Sequence, residues 1–287
     1  MIPIDPAWCA AHPLPMPAGE SDKNDRGQVL VIGGARRVPG AIMLTAEAAL
    51  RVGAGRVRVA TIAGAALSIG IAMPEVGVIG LTEDADGNIA IGDDAALAAT
   101  LRRVDAVVIG PGMGNPDAAV AIVRWCATRL TADGVLILDG AAIPAARQLG
   151  DVLAPLAGRL ILTPHPGEMA ALIDRTPETI DDATAADAAA RFGAVVAFKR
   201  SHTVVASPGA SSLRYAGGGI GLATGGSGDV LAGAIAGLAA RGASPGDAAA
   251  WGVWLHGEAG RTLAGRAGPV GFLARELPPI MTSLLPR

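Results

Sequence analysis

A glycine-rich segment at 223–233, Ala-Thr-Gly-Gly-Ser-Gly-Asp-Val-Leu-Ala-Gly, carries the strongest chemical signal in this chain. Glycines let successive backbone N–H groups turn toward one point, and a helix that begins there adds a partial positive charge, which suits a phosphate group. Asp229 would accept the proton of a hydroxyl group while the amides of Gly226, Ser227 and Gly228 stabilise a phosphoryl group in transfer. The alternative from spacing alone is that Asp229 only caps a helix after a flexible turn.

Three further unusual loops follow predicted strands: 33–40, which opens with Gly-Gly; 110–114, which reads Gly-Pro-Gly-Met-Gly; and 163–168, which reads Thr-Pro-His-Pro-Gly-Glu. Ligands of an open parallel sheet bind at the carboxyl ends of its strands, so the four loops together predict one crevice. The chain contains no GxxxxGK[ST] motif, and no complete GxGxxG follows the first predicted strand. The sequence therefore fits neither a P-loop protein nor a dinucleotide-binding Rossmann domain.

These loops need a sheet to bring them together, and the hydrophobic pattern predicts one. Short β-branched runs alternate with longer alanine-rich runs, which is typical of an α/β protein with a central, mainly parallel sheet and helices on both faces. Two later runs, 203–206 and 213–215, predict a hairpin and hence an antiparallel edge. The other predicted strands are 28–32, 56–61, 75–81, 105–109, 135–138, 160–163 and 194–198, and the predicted helices are 40–52, 117–130, one starting near 167, 229–241 and 245–264. We expect a single domain over 23–287, preceded by a loosely ordered segment over 1–22.

Composition excludes several classes of protein. The 287 residues are 51% hydrophobic and 17% charged, which is far from the composition of a disordered chain. A net charge of −3 argues against nucleic-acid binding, which needs a basic face. Cys9 and Cys126 have no CxxC spacing around them, and a reducing cytoplasm fits such a chain. The longest apolar runs, such as 230–240, are shorter than the roughly 20 residues that span a bilayer, so we expect no membrane segment.

Five segments, in their order and spacing, resemble the ADP/ATP-dependent NAD(P)H-hydrate dehydratases of the ribokinase-like superfamily. They read AVVIGPGMG, ILTPHPGEMAAL, FKRSHTVV, TGGSGDVLAG and WGVWLHGEAG. The resemblance runs from about Lys23 to Pro286 and implies a ribokinase-like fold. It also suggests the stand-alone bacterial form, because no epimerase-like domain precedes this part of the chain.

The resemblance implies a repair reaction. NADH and NADPH slowly add water at C6 of the nicotinamide ring, and the family restores them from the S-epimer of that hydrate, NADHX or NADPHX. Phosphorylation of the C6 hydroxyl turns a poor leaving group into a good one, and phosphate then departs. The implied co-substrate is ADP, which is released as AMP, with ATP as the alternative. The resemblance further implies Mg²⁺, a homotetramer, a separate NAD(P)HX epimerase as partner, and a cytoplasmic enzyme.

The family's functional positions carry over by motif. Asp229 would be the base on the substrate hydroxyl, with Gly226, Ser227 and Gly228 as the amide site for the transferred phosphate. The implied contacts to the hydrate are Ala41, Gly114, His165 and Asp229, and the implied contacts to ADP or AMP are Lys199, Arg200, Ser201, His202, Thr203 and Gly228. The resemblance assigns no metal ligands. For His256 we expect packing or hydrogen bonding rather than chemistry. For Glu168 we expect a favourable charge at a helix start, and a water-mediated role at the metal is the alternative.

The sequence departs from the family's motifs at two positions, so other functions remain open. Arg200 stands where the family commonly has Gly, and Ala141 stands where it usually has a second Asp after the strand that ends at 138. A small-molecule kinase, such as one acting on a vitamin alcohol, would use the same glycine-rich site, although loops 110–114 and 163–168 favour the dehydratase. The third hypothesis is a non-catalytic nucleotide-binding protein. It is based on Ala141, which replaces the second acidic residue that the family usually has at this position.

Overall fold

The computed structural model describes residues 1–16 and 22–286. Ten strands form one sheet: β1 (Ile2–Pro3), β2 (Gln28–Ile32), β3 (Arg56–Ile62), β4 (Gly77–Leu81), β5 (Ala106–Ile109), β6 (Val135–Leu138), β7 (Leu160–Leu162), β8 (Val195–Lys199), β9 (Thr203–Ala206) and β10 (Leu213–Tyr215). The α-helices are α1 (Pro6–Ala11), α2 (Ala41–Arg51), α3 (Ala63–Ala72), α4 (Ala95–Leu101), α5 (Pro116–Ala127), α6 (Ala145–Gln148), α7 (Gly150–Leu153), α8 (Pro166–Ile173), α9 (Ala183–Phe192), α10 (Ser227–Ala240), α11 (Pro245–Ala267) and α12 (Leu277–Leu284).

The sheet has the order β1-β10-β9-β8-β7-β6-β5-β2-β3-β4. Every pair from β8 to β4 is parallel, whereas β9 pairs antiparallel with both β8 and β10. The strand direction therefore changes between β8 and β9, and the predicted hairpin forms the antiparallel side of the sheet. Both the mainly parallel sheet and its antiparallel edge are confirmed.

Helices cover both faces of the sheet, as the sequence predicts. All residues of β5, β6 and β7 are buried, which requires cover on both sides. The helices form two groups of mutual contacts: α2, α10, α11 and α12 make one, and α5, α6, α7 and α8 make the other. The core lies in the two layers between these groups and the sheet.

Helix α10 is the central helix of its layer. It is buried on nearly every side and contacts β2, β5 and β6 as well as α2 and α11. Its close approach to α2 depends on Gly233 and Gly237, because a Cβ at Gly233 would overlap the carbonyl oxygen of Thr45 and one at Gly237 would press on Ala49. This tight packing holds the first turn of α10 in one position above the carboxyl ends of the strands.

The first residues of the chain are better ordered than predicted, and residues 2–11 correct that expectation. β1 pairs in parallel with β10, and the indole nitrogen of Trp251 donates a hydrogen bond to the carbonyl oxygen of His12 at 2.7 Å. Trp8 is 7% exposed, so burial of its ring holds α1 against the domain. The rest of the predicted loose segment, 17–21, lies outside the described residues, and the domain boundary at 22/23 stays a prediction.

Seven of the helices are not among the predicted elements: α1, α3, α4, α6, α7, α9 and α12. α3 is apolar along its whole length and therefore gives no clear helical period. α9 does have a helical period, with Thr184, Ala185, Ala188 and Ala189 buried on one face, and the sequence analysis missed it. In the described parts of the chain, no helix combines the length and the hydropathy that a bilayer crossing requires.

Candidate active site

The glycine-rich loops meet at the carboxyl ends of the central strands. Gly34, after β2, donates its N–H to the carbonyl oxygen of Pro111, after β5, at 2.7 Å. Gly110 approaches the backbone of Asp139, after β6, so closely that a Cβ would overlap its carbonyl oxygen. The crevice that the sequence predicts is therefore built by direct backbone contacts between neighbouring loops.

The start of α10 is a candidate anion site formed by backbone. Gly226 is the N-cap residue, with φ at 90°, a conformation that side chains disfavour, and no side chain caps the helix. The first N–H groups of α10 thus have no partner within the helix and a favourable dipole direction, and the Ser227 N–H makes one long contact outside it, to the Thr224 carbonyl oxygen at 3.3 Å. Asp229 lies inside the first turn, so the alternative that it is merely the N-cap is wrong.

A buried network of charges lies beside this anion site. Asp139 is 5% exposed and accepts hydrogen bonds from the Lys199 ammonium at 3.0 Å and from the Thr163 hydroxyl at 2.6 Å. The three residues follow or end β6, β7 and β8, so the parallel register brings them together. A Cβ at Gly228 would lie 3.3 Å from the Lys199 nitrogen, which places the ammonium next to the amides of α10.

This network controls the protonation of Asp229. Burial and the nearby charge of Asp139 raise the pKa of Asp229 to about 7, although Lys199 opposes the shift. Burial acts to lower the pKa of Lys199, but the carboxylates of Asp139 and Glu168 outweigh it and the net pKa is raised. Lys199 is therefore a fixed cation, and Asp229 is the carboxyl group that exchanges a proton near neutral pH.

His165 and Glu168 start α8 with a reciprocal capping arrangement. The ring nitrogen Nδ1 of His165 accepts from the backbone of Gly167 at 3.0 Å and of Glu168 at 3.3 Å, and a Glu168 carboxylate oxygen accepts from the His165 N–H at 2.9 Å. Nδ1 is thus an acceptor, which leaves Nε2 as the protonated nitrogen. Burial raises the pKa of Glu168, with Lys199 opposing it. The expected role of Glu168 at a helix start is confirmed.

His256, on α11, reaches the first residue of α10. Its Nε2 lies 2.9 Å from the hydroxyl and 3.0 Å from the carbonyl oxygen of Ser227. Burial lowers the pKa of His256 to about 4, so the ring is neutral at physiological pH. The expectation of hydrogen bonding at His256 is confirmed.

A cavity of about 670 Å³ opens beside the anion site. The predicted nucleotide turn, 199–203, lines it together with His165, Ser227 and Gly228. Apolar side chains supply much of the remaining wall, and they are Ile220, Leu222, Ala223, Leu231 and Val253. The sequence analysis assigned no role to these apolar residues. They lie on α10, on α11 and in the turn before α10, and the spacing of aliphatic residues in these segments is the sequence feature that could have identified them.

The nucleotide turn is tied to the start of α9. Asp182 accepts from Arg200 Nη1 at 2.9 Å and pairs with His202 Nε2 at 2.8 Å. These partners lower the pKa of Asp182 against the effect of its burial. The guanidinium that replaces the family's glycine thus bonds to Asp182, outside the turn itself. Asp182 was missed by sequence reasoning because α9 was not predicted.

Ala41 and Gly114 do not line this cavity, unlike His165. Ala41 is the first residue of α2, and a Cβ at Gly112 would come within 2.9 Å of its methyl group. Gly114 ends the same loop and has open space beside it. The structure therefore places these two residues together on the β2 and β5 side of Asp139, and the cavity on its β8 side.

The protein donors fit a magnesium ion only in company with phosphate. Within residues 1–16 and 22–286, no group of three or more His, Cys, Asp or Glu side chains is arranged to hold a metal. A carboxylate oxygen of Asp229 would lie 3.9 Å from a Cβ at Gly226, and one of Asp139 would lie 4.0 Å from a Cβ at Gly228. Lys199 is paired with Asp139, and the charge of Glu168 also acts on Lys199. Mg²⁺ is commonly held by one or two carboxylates together with nucleotide phosphates and water, and this donor set suits that mode.

The sheet order and the anion site at the start of α10 define an α/β protein of the ribokinase-like class. A solved ribokinase-like superfamily protein from Enterococcus faecalis V583 superposes with a TM-score of 0.83 at 28% identity, over 94% of this chain and 90% of its own. The family profile described as NAD(P)H-hydrate dehydratase matches residues 29–283. The chain belongs to the NAD(P)H-hydrate dehydratase family, as the resemblance implies.

Two relatives in this family are similar over their full length. The ADP-dependent (S)-NAD(P)H-hydrate dehydratase of Xanthomonas campestris pv. campestris is 46% identical, covering 99% of this chain and 96% of the relative. The ADP/ATP-dependent NAD(P)H-hydrate dehydratase from Bacillus subtilis, co-crystallised with ATP and Mg²⁺, has a TM-score of 0.78 at 26% identity, covering 99% of this chain and 97% of its own. These matches favour the dehydratase over the vitamin-alcohol kinase and over the non-catalytic protein.

Proposed function

We propose that this chain dehydrates the S-epimer of NADHX and NADPHX back to NADH and NADPH, with ADP as phosphoryl donor and AMP and phosphate as products. The observation that carries the proposal is a carboxyl group, Asp229, with a pKa of about 7 inside the first turn of a helix whose N–H groups form an anion site. A base poised near neutrality beside a phosphate site is what phosphorylation of a hydroxyl requires. The family match supports the choice of substrate.

In the first chemical step, ionised Asp229 takes the proton of the C6 hydroxyl, and that oxygen attacks the terminal phosphorus of ADP. The bond from phosphorus to the bridging oxygen breaks, and AMP carries that oxygen away. The amides of Gly226, Ser227 and Gly228 stabilise the charge on the phosphoryl oxygens, and the Lys199 ammonium adds a positive charge beside Gly228. Asp139 and Thr163 hold that ammonium in place.

In the second step, the bond from C6 to the phosphate oxygen breaks and the oxygen keeps the electron pair. The ring nitrogen lone pair assists the departure, and loss of a proton from C5 restores the C5–C6 double bond. The anion site stabilises the leaving phosphate by the same contacts. The net result is removal of water from the hydrate and hydrolysis of one phosphoanhydride bond.

We assign the adenosine part of ADP to the apolar wall of the 670 Å³ cavity and the turn 199–203, where Arg200 contributes only its backbone because its guanidinium is bonded to Asp182. The hydrate then approaches from the other side of Asp139, past Ala41 and Gly114, with His165 at the junction. Ala41 and Gly114 have no polar side chains, so their part is to give the substrate access to backbone. With few aromatic rings in the chain, aliphatic side chains and loop backbone hold both ring systems.

When bound with the nucleotide, Mg²⁺ would neutralise charge on the phosphates, and Glu168 and Asp139 are the carboxylates that would hold it, directly or through water. We further propose that the chain is a cytoplasmic homotetramer and works with a separate NAD(P)HX epimerase, since the R-epimer needs conversion before this enzyme uses it. Sedimentation velocity tests the tetramer, and a monomer or dimer would contradict it.

The test is incubation of the purified chain with S-NADHX, Mg²⁺ and either ADP or ATP, followed by absorbance of the reduced nicotinamide. We expect recovery of NADH with equimolar AMP and phosphate when ADP is supplied. Asp229→Asn is the matched control, because it keeps shape and anion site but has no base. Folded wild-type chain that binds nucleotide and yields no NADH with either donor would refute the proposal.

A further inference from the structure

The contact between His256 and Ser227 involves two acceptors at one ring nitrogen. Nε2 of His256 lies 3.0 Å from the Ser227 carbonyl oxygen and 2.9 Å from the Ser227 hydroxyl oxygen. A carbonyl oxygen only accepts hydrogen bonds, so the nitrogen that approaches it must carry a proton. The geometry therefore requires the Nε2–H form of the ring.

That assignment determines how the Ser227 hydroxyl is used. The Nε2–H group points between the carbonyl and the hydroxyl, so the hydroxyl oxygen receives it with a lone pair. Its own hydrogen must then point away from His256. Ser227 and Gly228 both line the cavity beside the anion site, and Ser227 is the first residue of α10. The hydroxyl is free to donate to an anion that the amides of the same turn also bind.

We propose that His256 is a positioning residue which orients the Ser227 hydroxyl as a side-chain donor to the transferred phosphoryl group, beside the backbone amides. The proposal rests on the proposed function and adds one donor to the anion site. No proton is transferred in this role: the hydroxyl hydrogen bonds more strongly as negative charge grows on the phosphoryl oxygens. Without Nε2–H, a serine hydroxyl rotates freely and adopts several directions.

Two substitutions of His256 form a matched pair. In His256→Gln the amide nitrogen sits as many bonds from the backbone as Nε2, so it still donates to Ser227. In His256→Asn the amide nitrogen matches Nδ1 and falls short of Ser227. Both side chains are uncharged amides, so a purely structural need for a polar group at this position predicts the same loss in both variants.

Kinetics with S-NADHX and ADP give the first measurement. Ser227→Ala keeps every backbone amide and removes only the hydroxyl, and we expect kcat to fall by about 10- to 100-fold, the value of a hydrogen bond to a charged group. KM for ADP should stay within about twofold, because the bond strengthens in the transition state. His256→Asn should lose as much as Ser227→Ala, His256→Gln should recover most of the rate, and Ser227→Ala with His256→Asn should be no slower than Ser227→Ala alone.

The tautomer gives a second measurement that needs no turnover. Nitrogen-15 NMR of the labelled wild-type chain, with His256 assigned by correlating its ring with its own backbone resonances, should show the neutral Nε2–H form from pH 6 to 8. This measurement also decides the matter if a His256 variant fails to fold.

The outcomes separate this inference from the proposed function. Wild-type chain that turns over no hydrate refutes the proposed function and with it the donor role. Active wild-type chain refutes this inference alone if Ser227→Ala keeps the wild-type kcat, if His256→Gln is as slow as His256→Asn, or if His256 is the Nδ1–H form.

Discussion

Replacing Asp229 by Asn removes a carboxylate that the folded chain has to ionise in a buried position beside Asp139. Burial and that neighbouring charge raise the pKa of Asp229 from 3.8 to about 7. Between these two values the folded chain keeps a proton that the unfolded chain has lost, so lower pH favours folding. The destabilisation is absent below about pH 4, grows as the pH rises, and is complete above about pH 7.

The size of the effect follows from the shift. One pKa unit corresponds to about 1.4 kcal/mol, so the raised pKa of Asp229 costs the fold up to about 4 kcal/mol at pH 8, where the folded chain ionises it, and about 2 kcal/mol at pH 5, where the folded chain keeps a proton that the unfolded chain loses. Asp229→Asn carries no charge at either pH. We therefore expect the free energy of unfolding of the variant to exceed that of the wild type by those amounts, while turnover of NADHX is abolished and nucleotide still binds.

Urea unfolding at pH 5 and pH 8, followed by the fluorescence of the four tryptophans, measures the difference. Asp133→Asn is the matched control, since Asp133 is exposed on the turn before β6 and should leave stability unchanged at both pH values. The reasoning is refuted if Asp229→Asn is no more stable than the wild type at pH 8, or if its advantage does not shrink at pH 5. A variant that keeps near-normal turnover would show that Asp229 is not the base.

Three other predictions concern residues near Asp229 and in the nucleotide turn. The kcat/KM for the hydrate should rise with pH through a midpoint of about 7, because Asp229 acts in its ionised form. Asp139→Asn should move that midpoint to lower pH, because it removes the negative charge that raises the pKa of Asp229. A pH–rate profile with an unchanged midpoint would contradict this effect of Asp139. Lys199→Met should lower the free energy of unfolding by about 3–5 kcal/mol, because it leaves Asp139 buried without its cation. In urea unfolding, adding Asp139→Asn to Lys199→Met should restore most of the lost stability. Additive losses from the two substitutions would argue against a stabilising Lys199–Asp139 ion pair. Arg200→Gly should change the free energy of unfolding by less than about 1 kcal/mol, since His202 still pairs with Asp182. The calorimetric Kd for ADP should also stay nearly unchanged. A tenfold weaker Kd would mean that the Arg200 side chain contacts the nucleotide.

Much of the sheet was predictable because parallel strands buried on both faces need continuous β-branched runs. β2, β5 and β6 lie where those runs predict them, and the hairpin of β9 and β10 lies on either side of its Ser-Pro-Gly turn. The missed helices include two different cases. α3 is apolar throughout and has no polar face, whereas α9 has a buried face of Thr184, Ala185, Ala188 and Ala189 that was overlooked. With α9 the sequence analysis also lost Asp182, which bonds to Arg200 in the nucleotide turn.

In the N-terminal segment the structure has more order than expected. A loosely ordered segment was expected over 1–22, yet β1 adds to the sheet through backbone hydrogen bonds, such as that from Ile4 N–H to the carbonyl of Arg214 at 2.8 Å. Backbone pairing of this kind depends on a partner strand more than 200 residues away in the chain. No local pattern carries that information.

The sequence by itself determined the class of fold, the loops at the strand ends and the glycine-rich start of α10 at 226–228, because each depends on hydrophobic period or on glycine backbone within a few residues. Only the tertiary structure decided which group titrates and which stays charged. Asp139, Lys199 and Asp229 lie far apart in the chain, and they become neighbours because β6, β8 and α10 end or begin at one edge of the sheet. A pKa is set by burial and by charges nearby in space, and both arise only when the chain has folded.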